Sequence, residues 1–136
     1  MDAEHKTILI IDDEVGLRNL LKFRLASFGF TILTAEDGYV GIEIAKEKVP
    51  DLIILDIMMP YFIGIEVCKK LKSDFKTREI PVIFLSVLAQ KEDVELGRQA
   101  GGDFFLTKPY DPDKLNLVIR MALKKEKPEG PDGTTV

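Results

Sequence analysis

The 136-residue chain contains one cysteine, Cys68, and one histidine, His5. A single thiol excludes an intramolecular disulfide and any cysteine-based zinc cluster. The single imidazole sits in the polar leader MDAEHKT, so no Ser-His-Asp or Cys-His arrangement can be assembled around it. No apolar run approaches the ~20 residues of a membrane-spanning helix. The leader has no hydrophobic stretch of the signal-peptide kind, and a cytoplasmic location is therefore expected. Neither GxxxxGKS/T nor GxGxxG occurs, which leaves nucleotide binding without support. Internal repeats are absent. With 19 basic against 23 acidic residues, the balance disfavours nucleic acid as a direct partner of this segment.

What the chain does have is the composition of one soluble domain with a real core: 46% hydrophobic and 31% charged residues. Short aliphatic runs alternate with segments of helical periodicity. The runs are TILIID (7–12), TILTA (31–35), DLIILD (51–56), PVIFLS (81–86) and DFFLT (103–107). Most are apolar throughout, as strands covered on both faces should be. Helices are predicted at about 14–28, 38–48, 64–74, 91–100 and 111–125, with Gly29, Pro50 and Gly101-Gly102 as stops. Five successive βα units imply an α/β doubly wound, five-stranded parallel sheet with right-handed crossovers. The common order is 2-1-3-4-5, the flavodoxin-like (βα)5 arrangement. A domain over 1–124 is expected, followed at 125–136 by a flexible tail or the start of a linker, because KKEKPEGPDGTTV turns charged and then rich in Pro and Gly. Since the chain starts close to the first strand, the domain is expected to be N-terminal or free-standing.

In such sheets ligands bind beyond the carboxyl ends of the strands, where the winding reverses. Strand 1 ends in Asp12-Asp13, strand 3 in Asp56 and strand 4 in Ser86, and Lys108 follows strand 5. Each residue has an ordinary alternative: Asp13 or Glu14 could cap the next helix, Ser86 could serve a turn, and Lys108 could be a solvated charge. Together they put three carboxylates on one rim. A carboxylate pair ~4 Å apart costs about 4 kcal/mol at an effective dielectric near 20. Three aspartates and Lys108 sum to −2, which a divalent cation neutralises. With oxygen donors and no His or Cys nearby, that cation is Mg²⁺, with Mn²⁺ possible. Mg²⁺ keeps positions for phosphate oxygens, so metal, lysine and hydroxyl around an aspartate make a small phosphoryl site.

The motifs IIDDE, LDIMMP, FLS and LTKPY, in this order and spacing, closely resemble the receiver domain of two-component response regulators over about residues 6–124. The resemblance implies that Asp56 is the phosphoacceptor, taking its phosphoryl group from a sensor histidine kinase or phosphotransfer protein. Asp12 and Asp13 would hold Mg²⁺ with an oxygen of Asp56 and the backbone carbonyl of Met58. Ser86 and Lys108 would each meet a phosphoryl oxygen, and the Lys108-Pro109 peptide would be cis. The domain would be a switch that slowly hydrolyses its own acyl phosphate, and not an enzyme acting on a free substrate. It would report to a downstream protein target or to a homodimer, without contact to membrane or nucleic acid.

Phosphorylation replaces a −1 group with one near −2, and Ser86 can draw the loop after strand 4 toward it. In the family an aromatic residue of strand 5 then turns inward; that position is Phe105, without the hydroxyl of the more usual Tyr. Val87 stands where Ala is common, and Ile63 where an acidic residue is frequent. Met58 and Leu88, both apolar, occupy positions that govern water access, from which a long-lived phosphoryl state is expected. In the last helix Leu115, Val118, Ile119 and Ala122 form the buried stripe by their spacing. Leu117 and Met121 lie one turn apart on the other face and, with Tyr110 and helix 4, suggest a docking surface. Cys68 is expected to be a buried small hydrophobe. Two other readings share the topology: a metal-dependent phosphohydrolase with an aspartyl intermediate, and a flavodoxin-like binder of a small ligand. The second would need a hydroxyl- or glycine-rich loop after strand 1, where DDEVG offers acid.

Overall fold

Each aliphatic run forms a strand, and each periodic segment between runs forms a helix. The computed structural model describes residues 6–57, 64–87 and 91–125. In chain order these carry β1 (Thr7–Ile11), α1 (Val15–Ser27), β2 (Thr31–Ala35), α2 (Gly38–Lys48), β3 (Leu52–Leu55), α3 (Gly64–Ser73), β4 (Val82–Ser86), α4 (Lys91–Gln99), β5 (Phe104–Thr107) and α5 (Pro112–Leu123). The strands pair in parallel in the order β2-β1-β3-β4-β5. This is the doubly wound, flavodoxin-like topology expected.

Both faces of the sheet are covered, which is why the central strands read as unbroken apolar runs. Alternate residues face opposite layers. Leu9, Ile11, Ile53, Leu55, Val82 and Phe84 pack with α2, α3 and α4, while Ile8, Ile10, Leu52, Ile54, Ile83 and Leu85 pack with α1 and α5. Fully burying one such side chain stabilises the fold by roughly 1.5–3 kcal/mol before the entropy of ordering it is counted.

β1 and β3 stop one residue short of the acids that close their runs, Asp12 and Asp56. At the amino edge Asp51 Oδ2 accepts the Thr7 N–H of the neighbouring strand at 2.8 Å, and Asp103 Oδ2 accepts the Val82 N–H at 2.8 Å. Helix ends follow their local signals. Asp37 caps α2 through the Val40 N–H, Asp111 caps α5 with Pro112 in the first turn, and Gly29 and Gly101 after α1 and α4 take φ of 99° and 107°, open to glycine without strain. Two residues break the rule: Val49 ends α2 with φ 45°, a conformation costly for a β-branched side chain, and Lys125 follows α5 with φ 60°. Among the described residues no helix is long and apolar enough to cross a membrane.

Candidate functional site

The rim at the carboxyl end of the sheet is set by hydrogen bonds that carry the ladder one residue past each strand. Asp12 N–H donates to Ala35 O at 3.1 Å, Asp56 N–H to Ile11 O at 3.1 Å, and Lys108 N–H to Ser86 O at 2.8 Å. Backbone pairing therefore holds Asp12, Asp56 and Lys108 in register with neighbouring strands, and their side chains meet above the sheet edge.

Asp12 and Asp56 are only 5% and 9% exposed, whereas Asp13 reaches solvent. One carboxylate oxygen from each of the three lies within 4.8 Å of the others. Lys108 enters between them, its Nζ 3.1 Å from Asp12 Oδ2 and 3.6 Å from Asp56 Oδ2. Burial pulls the Lys108 ammonium down, but the hydrogen bond to Asp12 and the charges of Asp56 and Asp12 outweigh it and hold its pKa above the ordinary value. Asp12 Oδ1 also accepts the Glu14 N–H at 3.0 Å, which fixes the carboxylate plane at the entry to α1. Glu14 takes the N-cap position of α1 without a side-chain cap bond, and neither it nor Asp13 serves α1 as a side-chain cap. The ordinary explanation for that acid pair is therefore removed.

Ser86, at the end of β4, is completely buried. The Lys108–Pro109 peptide is cis. Phe105 is buried in the layer under α2, α3 and α4, its ring centroid 6.0 Å from that of Phe84 at an interplanar angle of 39°. Met58, Ile63 and Leu88 lie outside the described residues.

The expected patch on α5 needs correction. Leu115, Val118, Ile119 and Ala122 are buried as the spacing requires, and Leu117 is 57% exposed. Met121 and Tyr110, however, are half-buried against the layer formed with α1, because that layer extends past the four-residue stripe. Leu117 is thus the only one of the three that stands open to solvent.

Sequence reasoning also overlooked residues on α1. Arg18 Nη1 donates to the Asp12 carbonyl at 2.7 Å, bracing the strand end from one turn into the helix. Asp13, Glu14, Val15, Leu17, Asp56, Val87 and Lys108 line an open depression of about 500 Å³. An apolar pocket of about 380 Å³, between α1 and Pro109-Tyr110, shares Leu17, Val87 and Lys108 with it. A signal was present in the apolar Leu17, Leu20 and Leu21 right after the acid cluster, but core packing accounts for such residues equally well.

The donor set suits a hard divalent cation. All three groups are carboxylates, the oxygen donors that such a cation prefers, and one oxygen of each lies within 4.8 Å of the other two. No histidine or cysteine among the described residues joins the cluster, so nothing in it favours zinc.

A doubly wound parallel sheet in the order 2-1-3-4-5, with acids and a lysine gathered at its switch point, places the chain in the flavodoxin-like class of folds. The chain belongs to the response regulator receiver domain family, whose model matches residues 8–120. It is 38% identical over 118 residues to the DNA-binding dual master transcriptional regulator RpaA of Synechocystis, covering 87% of this chain and 49% of that one. To the alkaline phosphatase synthesis transcriptional regulatory protein PhoP of Bacillus subtilis it is 35% identical over 127 residues, covering 93% of this chain and 52% of that protein. The chain thus spans about half the length of the curated relatives it matches. Among solved structures, the chemotaxis protein CheY4 of Vibrio cholerae superposes with a TM-score of 0.82 at 26% identity, over 86% of this chain and 98% of that one.

Proposed function

We propose that Asp56 accepts a phosphoryl group from a phosphohistidine on a sensor histidine kinase or phosphotransfer protein, and that the resulting acyl phosphate switches binding to a partner. The reading is carried by the convergence of Asp12, Asp13 and Asp56 with Lys108 at 3.1 and 3.6 Å. A carboxylate oxygen of Asp56 forms the new P–O bond in line as the P–N bond breaks, and the imidazole leaves with the electron pair. Lys108, already within 3.6 Å of Asp56, pairs with an equatorial oxygen as charge develops there. Ser86 donates its hydroxyl to another after transfer. Asp12 and Asp13, with an oxygen of Asp56, would hold Mg²⁺ or Mn²⁺. When bound, the ion offsets negative charge on the transferring group. Water later attacks the acyl phosphate and returns the carboxylate, so the chain times its own signal without turning over a free substrate.

The output runs through α4, β5 and α5, where Phe105 lies against Phe84 beneath α4. Partner binding or self-association changes on that face. If the chain is part of a longer regulator like its relatives, DNA binding belongs to the remainder and not to this segment.

Incubation with a small phosphodonor and Mg²⁺, followed by intact mass, tests the reading. One labile phosphoryl group, lost in Asp56→Asn and in chelator, is the expected result. Sustained release of phosphate from many external substrates would instead identify a phosphohydrolase and overturn it.

A further inference from the structure

Gly64 opens α3, directly behind the phosphoacceptor. A side chain there has no room: a Cβ would stand 2.1 Å from Asp56 O, 2.8 Å from Ile57 Cα and 2.9 Å from the Asp56 carbonyl carbon. All three atoms are backbone, so no rotamer change relieves the overlap. The Gly64 N–H donates to Ile57 O at 2.7 Å, which clamps the start of α3 onto the carbonyl of the residue after Asp56. On the other side the Asp56 N–H is held by Ile11 O at 3.1 Å. The phosphoacceptor is therefore gripped between β1 and the first residue of α3.

We propose that Gly64 is a positioning residue for the metal and phosphoryl site, setting the height of Asp56 relative to Asp12, Asp13 and Lys108. The inference rests on the phosphoacceptor reading and assigns the site's spacing to a residue that never touches the ligand. To reach an ordinary contact, an alanine must displace either α3 or the Asp56–Ile57 peptide by roughly 1 Å. Mg²⁺ demands near-ideal octahedral geometry at about 2.0–2.1 Å, whereas Ca²⁺ accepts looser shells at about 2.3–2.6 Å. A displaced Asp56 thus penalises Mg²⁺ more than Ca²⁺. Lost stability alone does not predict that difference.

The test titrates Mg²⁺ and Ca²⁺ calorimetrically into the wild-type chain, Gly64→Ala and Gly102→Ala. Gly102 supplies the control: it precedes β5 at the opposite edge of the sheet, and its added Cβ would meet the Phe84 ring at 2.5 and 2.7 Å, so that variant is strained without touching the site. In Gly64→Ala the Mg²⁺ dissociation constant should rise roughly tenfold or more, with a smaller rise for Ca²⁺. Gly102→Ala should melt earlier yet keep both affinities. Unchanged Mg²⁺ binding in Gly64→Ala, or equal loss for the two ions, overturns the proposal. A wild-type chain that binds neither ion removes the site reading itself, and the proposal with it. Should Gly64→Ala not fold, amide exchange on the wild type decides. Saturating Mg²⁺ should slow the Gly64 N–H more than the Gly102 N–H, which is bonded to Gly97 O at the far edge; equal slowing overturns the proposal.

Discussion

Replacing Lys108 by methionine keeps most of its volume and removes its charge, leaving Asp12 and Asp56 buried without their cation. Each contact, at 3.1 and 3.6 Å, is worth about 5 kcal/mol of gross attraction at an effective dielectric near 20. Desolvation of the lysine, whose side chain is 11% exposed, offsets much of that gain. The net cost of stripping one partner from such a cluster is about 3 kcal/mol, or roughly 10 °C in Tm for a domain of this size. That loss applies without metal. The variant site carries −3 where the wild type carries −2, so Mg²⁺ should stabilise Lys108→Met more than it stabilises the wild type. Urea unfolding in chelator and in excess Mg²⁺ measures both differences. Equal stability in chelator, or an identical Mg²⁺ increment in the two proteins, would refute the account of Lys108 as the counterion of a metal site. The pH dependence has a definite sign. The folded pKa of Lys108 is raised above 10.5, so the contribution of the ion pair is complete at neutral pH and is lost as pH rises through the raised value.

Three further outcomes are expected. Val49→Gly should stabilise the chain by about 1 kcal/mol, because relief of the left-handed strain at φ 45° exceeds the entropy cost of glycine; a lower urea midpoint would contradict that. Burial pushes the Cys68 thiol up to about 12 from 9.0, so it should resist alkylation in the native state, and its contribution to stability should fall as pH climbs from about 9 toward 12. Leu117→Asp should leave the unfolding free energy from urea titration within about 0.5 kcal/mol of wild type, whereas half-buried Met121→Asp should cost about 1–3 kcal/mol. If phosphorylation-dependent association survives Leu117→Asp unchanged, the exposed face of α5 is not the output surface.

Much of this molecule could be read one residue at a time. The all-apolar runs of β1, β3 and β4 announced strands buried on both faces, and the acids, serine and lysine at their ends announced a rim. The spacing of Leu115, Val118, Ile119 and Ala122 set the buried side of α5 correctly, since helical periodicity is a local property. The same periodicity misjudged Met121, whose burial depends on how far a neighbouring layer reaches and not on its own helix. Arg18 and Gly64 went unnoticed for a related reason. An arginine one turn into a helix and a glycine before an apolar segment are ordinary in sequence. They acquire meaning from the carbonyls of Asp12, Asp56 and Ile57.

By itself the sequence determined the element order, the two-sided burial of the sheet and the chemical character of its carboxyl edge, because hydrophobic period and turn residues act over a few positions. Only the tertiary structure decided the distances. Interstrand hydrogen bonds carry Asp12, Asp56 and Lys108 one rung past their strands, and a side-chain-free approach of α3 holds Asp56 from behind. Those contacts join residues far apart in the chain, and long-range register is a property of the packed sheet that no local pattern encodes.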